Sequence, residues 1–166
     1  MRGQAAIEYL STYGFAILVI VIVIAVLMSL FQSVGKPEMC IVKPTGFTCG
    51  DIPPRAHLDN GQLLLDFRFS NEQQQTVNIL RVLCVKGSSD TPPANGSWET
   101  KNVHVTPGGY VELLNLKCVE SDGTTPVTAT EGQDFSGVVF VKYRYANDFA
   151  NAERLAVVRI STKVSS

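Results

Sequence analysis

Four cysteines, two histidines and one carboxylate beside a long apolar run are the residues of this chain whose types could do chemistry. Cys40, Cys49, Cys84 and Cys118 are even in number, and their separations do not match the paired Cys-x-x-Cys spacing of common zinc modules. Disulfide formation therefore ranks above burial as free thiols, where cysteine packs as a small hydrophobe, and free thiols rank above a metal site. Four cysteines allow three connectivities. Joining neighbours in sequence, Cys40 with Cys49 and Cys84 with Cys118, is the simplest of them. His57 and His104 have no Cys-His or Ser-His-Asp grouping around them that would make a base or a nucleophile pair. The acidic residues are scattered, with no calcium loop, no dinucleotide glycine motif and no phosphate loop. These patterns point away from an enzyme and call for no cofactor and no metal. Asn95-Gly96-Ser97 is a glycosylation sequon in a loop rich in Pro, Gly and Ser, which makes Asn95 a candidate acceptor.

The elements that would carry these residues fall into two regions. The chain has 166 residues, and its formal net charge of -1 gives no electrostatic case for binding nucleic acid. From Tyr9 to Gly35 there is no charged residue, whereas residues 36–166 read as an ordinary soluble domain of a size typical for a single core. Phe15 to Phe31 reads FAILVIVIVIAVLMSLF. Its Ile and Val content would favour a strand in water, but in hydrocarbon a helix prevails because it satisfies every backbone amide internally. A helix this apolar has no polar face to turn toward water, so it belongs in lipid or in a protein core.

The flanks of that run are more specific. Met1-Arg2-Gly3 is a very short basic leader, followed by Gln4-Ala5-Ala6-Ile7-Glu8-Tyr9-Leu10. A carboxylate placed as Glu8 is costly near a membrane core unless a partner uses it. An ordinary secretion signal, with Ser33-Val34-Gly35 as its cleavage site, is the competing reading, but it has no use for Glu8. Arg2-Gly3 before Gln4, with Glu8 five residues into the mature chain, resembles the class III signal peptide of archaeal type IV pilins, relatives of the archaellins. Ala6 stands where that family commonly has Ser. The resemblance covers roughly the first thirty residues.

What the resemblance implies is concrete. A prepilin peptidase would cut between Gly3 and Gln4, on the cytoplasmic side, removing residues 1–3 and leaving a helix over residues 4–35 on the mature subunit. The helix would hold the subunit in the cell membrane and then pack with other copies in a filament core. Lipid tails are as apolar as Leu, so that transfer gains little hydrophobic free energy. An assembly ATPase and a membrane platform protein are implied as its driver. Glu8 would reach the N-terminal amine of a neighbouring copy. If Gln4 cyclises to pyroglutamate, it would instead take hydroxyl partners such as Tyr9, Ser11, Thr12 and Tyr13. Gly14 marks close helix approach or a soft point, since Gly costs about 1 kcal/mol against Ala inside a helix.

The expected fold class is α+β: the hydrophobic helix followed by an antiparallel, β-sandwich-like extracellular head over residues 36–166. Val34-Gly35-Lys36-Pro37 stops the helix. Gln62–Phe69 alternates Leu63, Leu65, Phe67 and Phe69 on one face, the period-2 signature of a half-buried strand. Thr76–Val85, Tyr110–Val119, Phe135–Tyr145 and Leu155–Val164 read as further strands, with turns between them at Asp59-Asn60-Gly61, Gly87–Gly96, Pro107-Gly108-Gly109 and Ser121–Pro126. The core is expected to draw on Leu63, Leu65, Phe67, Val139, Val141, Val158 and Ile160. Disulfides persist in oxidising compartments, which agrees with a head outside the cell. The first function expected is a filament subunit for adhesion or cell contact. A minor pilin or single-pass anchored binding protein, and a secreted β domain released near Gly35, are the alternatives.

Overall fold

The computed structural model describes residues 4–33, 37–149 and 152–165, and within the helix the side chains of residues 13–31. The chain divides into two units, Met1–Gly35 and Lys36–Ser166. In the first, α1 runs over Gln4–Ser33, 30 residues or about 45 Å of helix. The expected stop at Gly35-Lys36 lies outside the described residues.

The second unit contains β1 (Met39–Lys43), β2 (Phe47–Thr48), β3 (Arg55–Asp59), β4 (Gln62–Asn71), β5 (Val77–Lys86), β6 (Glu99–Val105), β7 (Tyr110–Val119), β8 (Asp134–Tyr145) and β9 (Arg154–Ser165). The α+β class holds: one apolar helix precedes a strand-rich domain. The expected sandwich-like layering is modified. Strands β9, β3, β4, β7, β5 and β8 pair in succession and β8 pairs back with β9, so the sheet closes as a six-strand barrel. β1, β2 and β6 add to β9, β4 and β5. Most ladders are antiparallel, but β3–β9 and β5–β7 are parallel and only two residue pairs long. These two short seams join what would otherwise be two antiparallel layers. Alternation in a strand tells which side chains point inward, but not whether the margins of two layers meet.

All seven residues expected inside are buried in one cluster, together with Phe47, Phe69, Ile79, Leu113, Leu116 and Tyr143. Phe69 stacks on Phe47 at 4.9 Å between ring centroids, and Tyr143 meets Phe47 edge-on. The β3–β4 hairpin turns through Asn60-Gly61, both at positive φ, the pair of left-handed residues that a two-residue hairpin needs. Two irregularities break strict alternation. Opposite Asp66, β7 carries an extra residue around Asn115, whose φ of 54° and whose N–H to Asp66 Oδ1 (2.6 Å) hold a bulge. The bulge shifts the phase so that Leu113 and Leu116, three apart, both enter the core. The β5–β6 ladder shifts in the same way, with Asn102 at φ 49° on β6.

The four cysteines form two disulfides, Cys40–Cys49 and Cys84–Cys118, which is the pairing of neighbours in sequence. Cys84 and Cys118 are also register partners in the short β5–β7 seam, so this covalent bond lies where the barrel has fewest hydrogen bonds. The opposite seam relies on Thr162 Oγ1 donating to Pro54 O and Ser165 Oγ donating to Ala56 O. Restriction of the unfolded chain predicts about 4 kcal/mol for a bridge of 34-residue separation and about 3 kcal/mol for one of 9. Urea titration of the isolated head should therefore show the larger loss for Cys84→Ala with Cys118→Ala, and the smaller for Cys40→Ala with Cys49→Ala. The reverse order would mean that the β5–β7 seam does not need its staple.

Candidate functional site

α1 places the uncharged run wholly on a helix, and every described side chain from Tyr13 to Phe31 is exposed. The mean hydropathy of this window is 3.1 and none of it is buried within the chain, so by length and composition it could cross a membrane. Fourteen large apolar side chains between Phe15 and Phe31 are exposed. They are 44–76% exposed, so at about 1.5–3 kcal/mol for fully burying a Leu, Ile, Val, Phe or Met, covering them is worth on the order of 10–20 kcal/mol. That is comparable to the net stability of most domains, about 5–15 kcal/mol. A helix with such a surface is suited to an apolar surrounding rather than to water.

Gly3, one side of the expected cleavage junction, lies outside the described residues. Gln4, Glu8 and Tyr9 lie on the helical backbone of α1, and their side chains are outside the described set. Helical spacing puts Ser11 and Thr12, at i+3 and i+4, on the face that carries Glu8, whereas Tyr9 and Tyr13 fall on other faces. Tyr13 is exposed. A Cβ on Gly14 would meet nothing within 4 Å, so among the described residues no close contact accounts for glycine at this position.

In the head, the two histidines are not brought together. His57 lies on β3 with Nδ1 3.5 Å from Asp66 Oδ2, at the rim of an open groove shared with Asp59, Gln62, Asn115 and Lys117. His104 lies on β6 opposite Asn78. All four cysteines are oxidised, and among the described residues no three His, Cys, Asp or Glu side chains cluster as metal ligands would. Asp122 caps its own turn, accepting hydrogen bonds from Thr125 Oγ1 and from the Thr124 and Thr125 N–H groups, which pull its carboxyl down to about 2. Burial, reinforced by the neighbouring Tyr145, pushes the Tyr143 phenol from 10.0 up to about 12. A raised pKa means that the folded state holds this proton more tightly. The associated stability is complete below pH 10 and is lost as pH rises toward 12. Absorbance titration should show one phenol ionising last and together with unfolding, and Tyr143→Phe should remove that late step.

Sequence reasoning missed a second apolar cluster on the outer face of β5, β8 and β9. Leu83, Val85, Val119, Val138 and Phe140 are buried there, with Trp98, Leu155 and Val157 packed around them. The unbroken runs Val82-Leu83-Cys84-Val85 and Val138-Val139-Phe140-Val141 were the available signal, because a strand apolar on both faces is covered on both faces. The cover is the segment 87–98. It is tied down by Gly87 N–H to Ser136 O (3.1 Å), Ser97 N–H to Gly123 O (2.8 Å) and Asp90, which accepts from Arg159 at 2.8 and 2.9 Å. A cavity of about 310 Å³ remains under this strap, between Val85, Val138 and Phe140 and the Ser88, Ser89 and Thr91 side. Comparison with protein-family models, with curated proteins and with solved structures finds no match to this chain.

Proposed function

We propose that this chain is a structural subunit of a surface filament of the archaeal type IV pilin kind, serving adhesion or cell contact. The observation that carries the reading is the uncharged run of α1, exposed on every side from Tyr13 to Phe31 and preceded in the chain by the Arg2-Gly3-Gln4 junction and Glu8. In the membrane, lipid covers that surface before assembly. In the filament, the helices of other copies cover it, and the unexplained Gly14 suits a point of close helix approach. Cleavage by a prepilin peptidase keeps the helix on the mature subunit, and an assembly ATPase with its membrane platform draws the subunit out of the bilayer. The disulfide-bonded barrel suits the oxidising exterior, where a damaged subunit cannot be replaced within the fibre.

The test is to shear surface material from cells that make the chain, image it, and read the N-terminus of the chain it contains. Filaments whose subunit begins at Gln4 are the expected result. The intact helix in membranes with no filaments would leave an anchored monomer or a minor subunit. A chain released into the medium and beginning near Lys36 would make it a secreted β domain.

A further inference from the structure

We propose that Asn95 carries an N-linked glycan that projects from the strap over the outer face of the barrel. The inference rests on the extracytoplasmic placement of the head given above. Of the eight asparagines in the chain, Asn95 is the only one followed by x-Ser or x-Thr with x other than Pro. The others for which the structure shows a role have conformational ones. Asn60, Asn102 and Asn115 occupy left-handed backbone positions in a turn and two bulges. Asn71 is buried, and its amide donates to Gln75 O and Val105 O. Asn95 has neither reason: its φ is not positive and its side chain is exposed, in the short turn at 94–95. The backbone there does not require asparagine, whereas attachment of a sugar does.

The geometry of the strap presents the acceptor outward. At Gly96, the middle residue of the triplet, a Cβ would come within 2.4 Å of Leu83 Cδ2, so this backbone lies against the apolar cluster beneath it. Gly96 N–H to Pro93 O and Ser97 N–H to Gly123 O fix the turn from below. Asn95 and Ser97 both face solvent, so the amide and the hydroxyl that a transferase must engage are accessible together. In the transfer, the Asn95 amide nitrogen attacks the anomeric carbon of a lipid-phosphate-linked sugar. The C–O bond to phosphate breaks, the lipid phosphate leaves with its electron pair, and an amide proton passes to the enzyme's base.

Intact mass of the chain from membranes or surface material of the cells that make it naturally tests the proposal, alongside Asn95→Gln, Ser97→Ala and Ser97→Thr variants. The expected result is a wild-type mass above that of the polypeptide by one or more sugar residues. The excess should be absent in Asn95→Gln and Ser97→Ala and retained in Ser97→Thr. An excess that persists in both of the first two variants overturns Asn95 as the carrier. A change lost in Asn95→Gln but kept in Ser97→Ala is deamidation at the Asn-Gly bond and also overturns it. Thiol counting and protease treatment of intact cells separate the failures. A bare polypeptide with two disulfides and an accessible head refutes the glycan while leaving the head outside. A bare polypeptide with four free thiols refutes the placement and the glycan together.

Discussion

Replacing Glu8 with alanine is expected to leave the chain stable in membranes while reducing its filaments by roughly a hundredfold or more. A carboxylate costs free energy on insertion, about 2.5–3.5 kcal/mol at the centre of a membrane helix and less toward its end, so removing Glu8 should not weaken anchoring. Its benefit has to appear in another state. If Glu8 meets the N-terminal amine of a neighbour at Gln4, losing one member of that pair costs about 3–5 kcal/mol per contact. With each 1.4 kcal/mol worth a factor of ten, the concentration needed for assembly rises by more than about a hundredfold. Glu8→Gln identifies the partner. It keeps hydrogen bonding to hydroxyls such as Ser11 and Thr12, which share the Glu8 face, but it lacks the charge. Filaments in Glu8→Gln with none in Glu8→Ala assign hydroxyl partners, as a cyclised Gln4 would require. Loss in both assigns the amine. Normal piliation in Glu8→Ala removes Glu8 from assembly altogether. Membrane fractionation and micrographs of the same cells provide the two readouts.

How much could be read in advance depended on whether a signal was local. α1 was legible because its uncharged run is longer than a bilayer needs and ends near a Gly and a Pro. The strands β4, β5, β7, β8 and β9 were legible to within a residue or two at most ends, because each is a long segment rich in Val, Ile, Leu and aromatics, bounded by turn residues. β1, β3 and β6 were not. Met39–Lys43 and Arg55–Asp59 are five residues long, and Glu99–Val105 is mostly polar and pairs with β5 alone. Their pairing energy comes from neighbours distant in sequence. The ring closure is non-local in the same sense: it depends on Ala56 reaching Val164 and Cys84 reaching Cys118. The bulges at Asn102 and Asn115 were hidden because asparagine marks a left-handed position only when the partner strand forces a two-against-one count. The candidate assembly residues were legible as a spacing of types at the N-terminus, which no fold geometry is needed to see. The strap and its cluster required both faces of β5 and β8 to be counted, and a period-2 reading counts only one.

The head expressed from Lys36 onward in an oxidising compartment is expected to fold alone as a soluble, disulfide-bonded β domain that does not polymerise. Its independence follows from its contents. Residues from Phe47 to Val164 build one buried cluster, with Phe69, Leu63, Leu65, Val139 and Val158 fully enclosed. The ring closes within this unit, and both disulfides lie inside it. Solubility follows from what remains outside: the charged pairs Arg81–Glu153, Arg68–Glu112 and Lys86–Glu120 line its surface. Such exposed pairs add little to stability, but both signs are interspersed, and that discourages association. Polymerisation should fail because the extended apolar surface of the chain lies between Phe15 and Phe31, which this fragment lacks. Circular dichroism should show strand without appreciable helix, non-reducing mass mapping should return Cys40–Cys49 and Cys84–Cys118, and sedimentation should give a monomer. Four free thiols would mean that the barrel closes without its staple. Filaments from the head alone would be the most damaging result, because assembly would then run through strand edges such as β1 or β6, and α1 would be an anchor and nothing more.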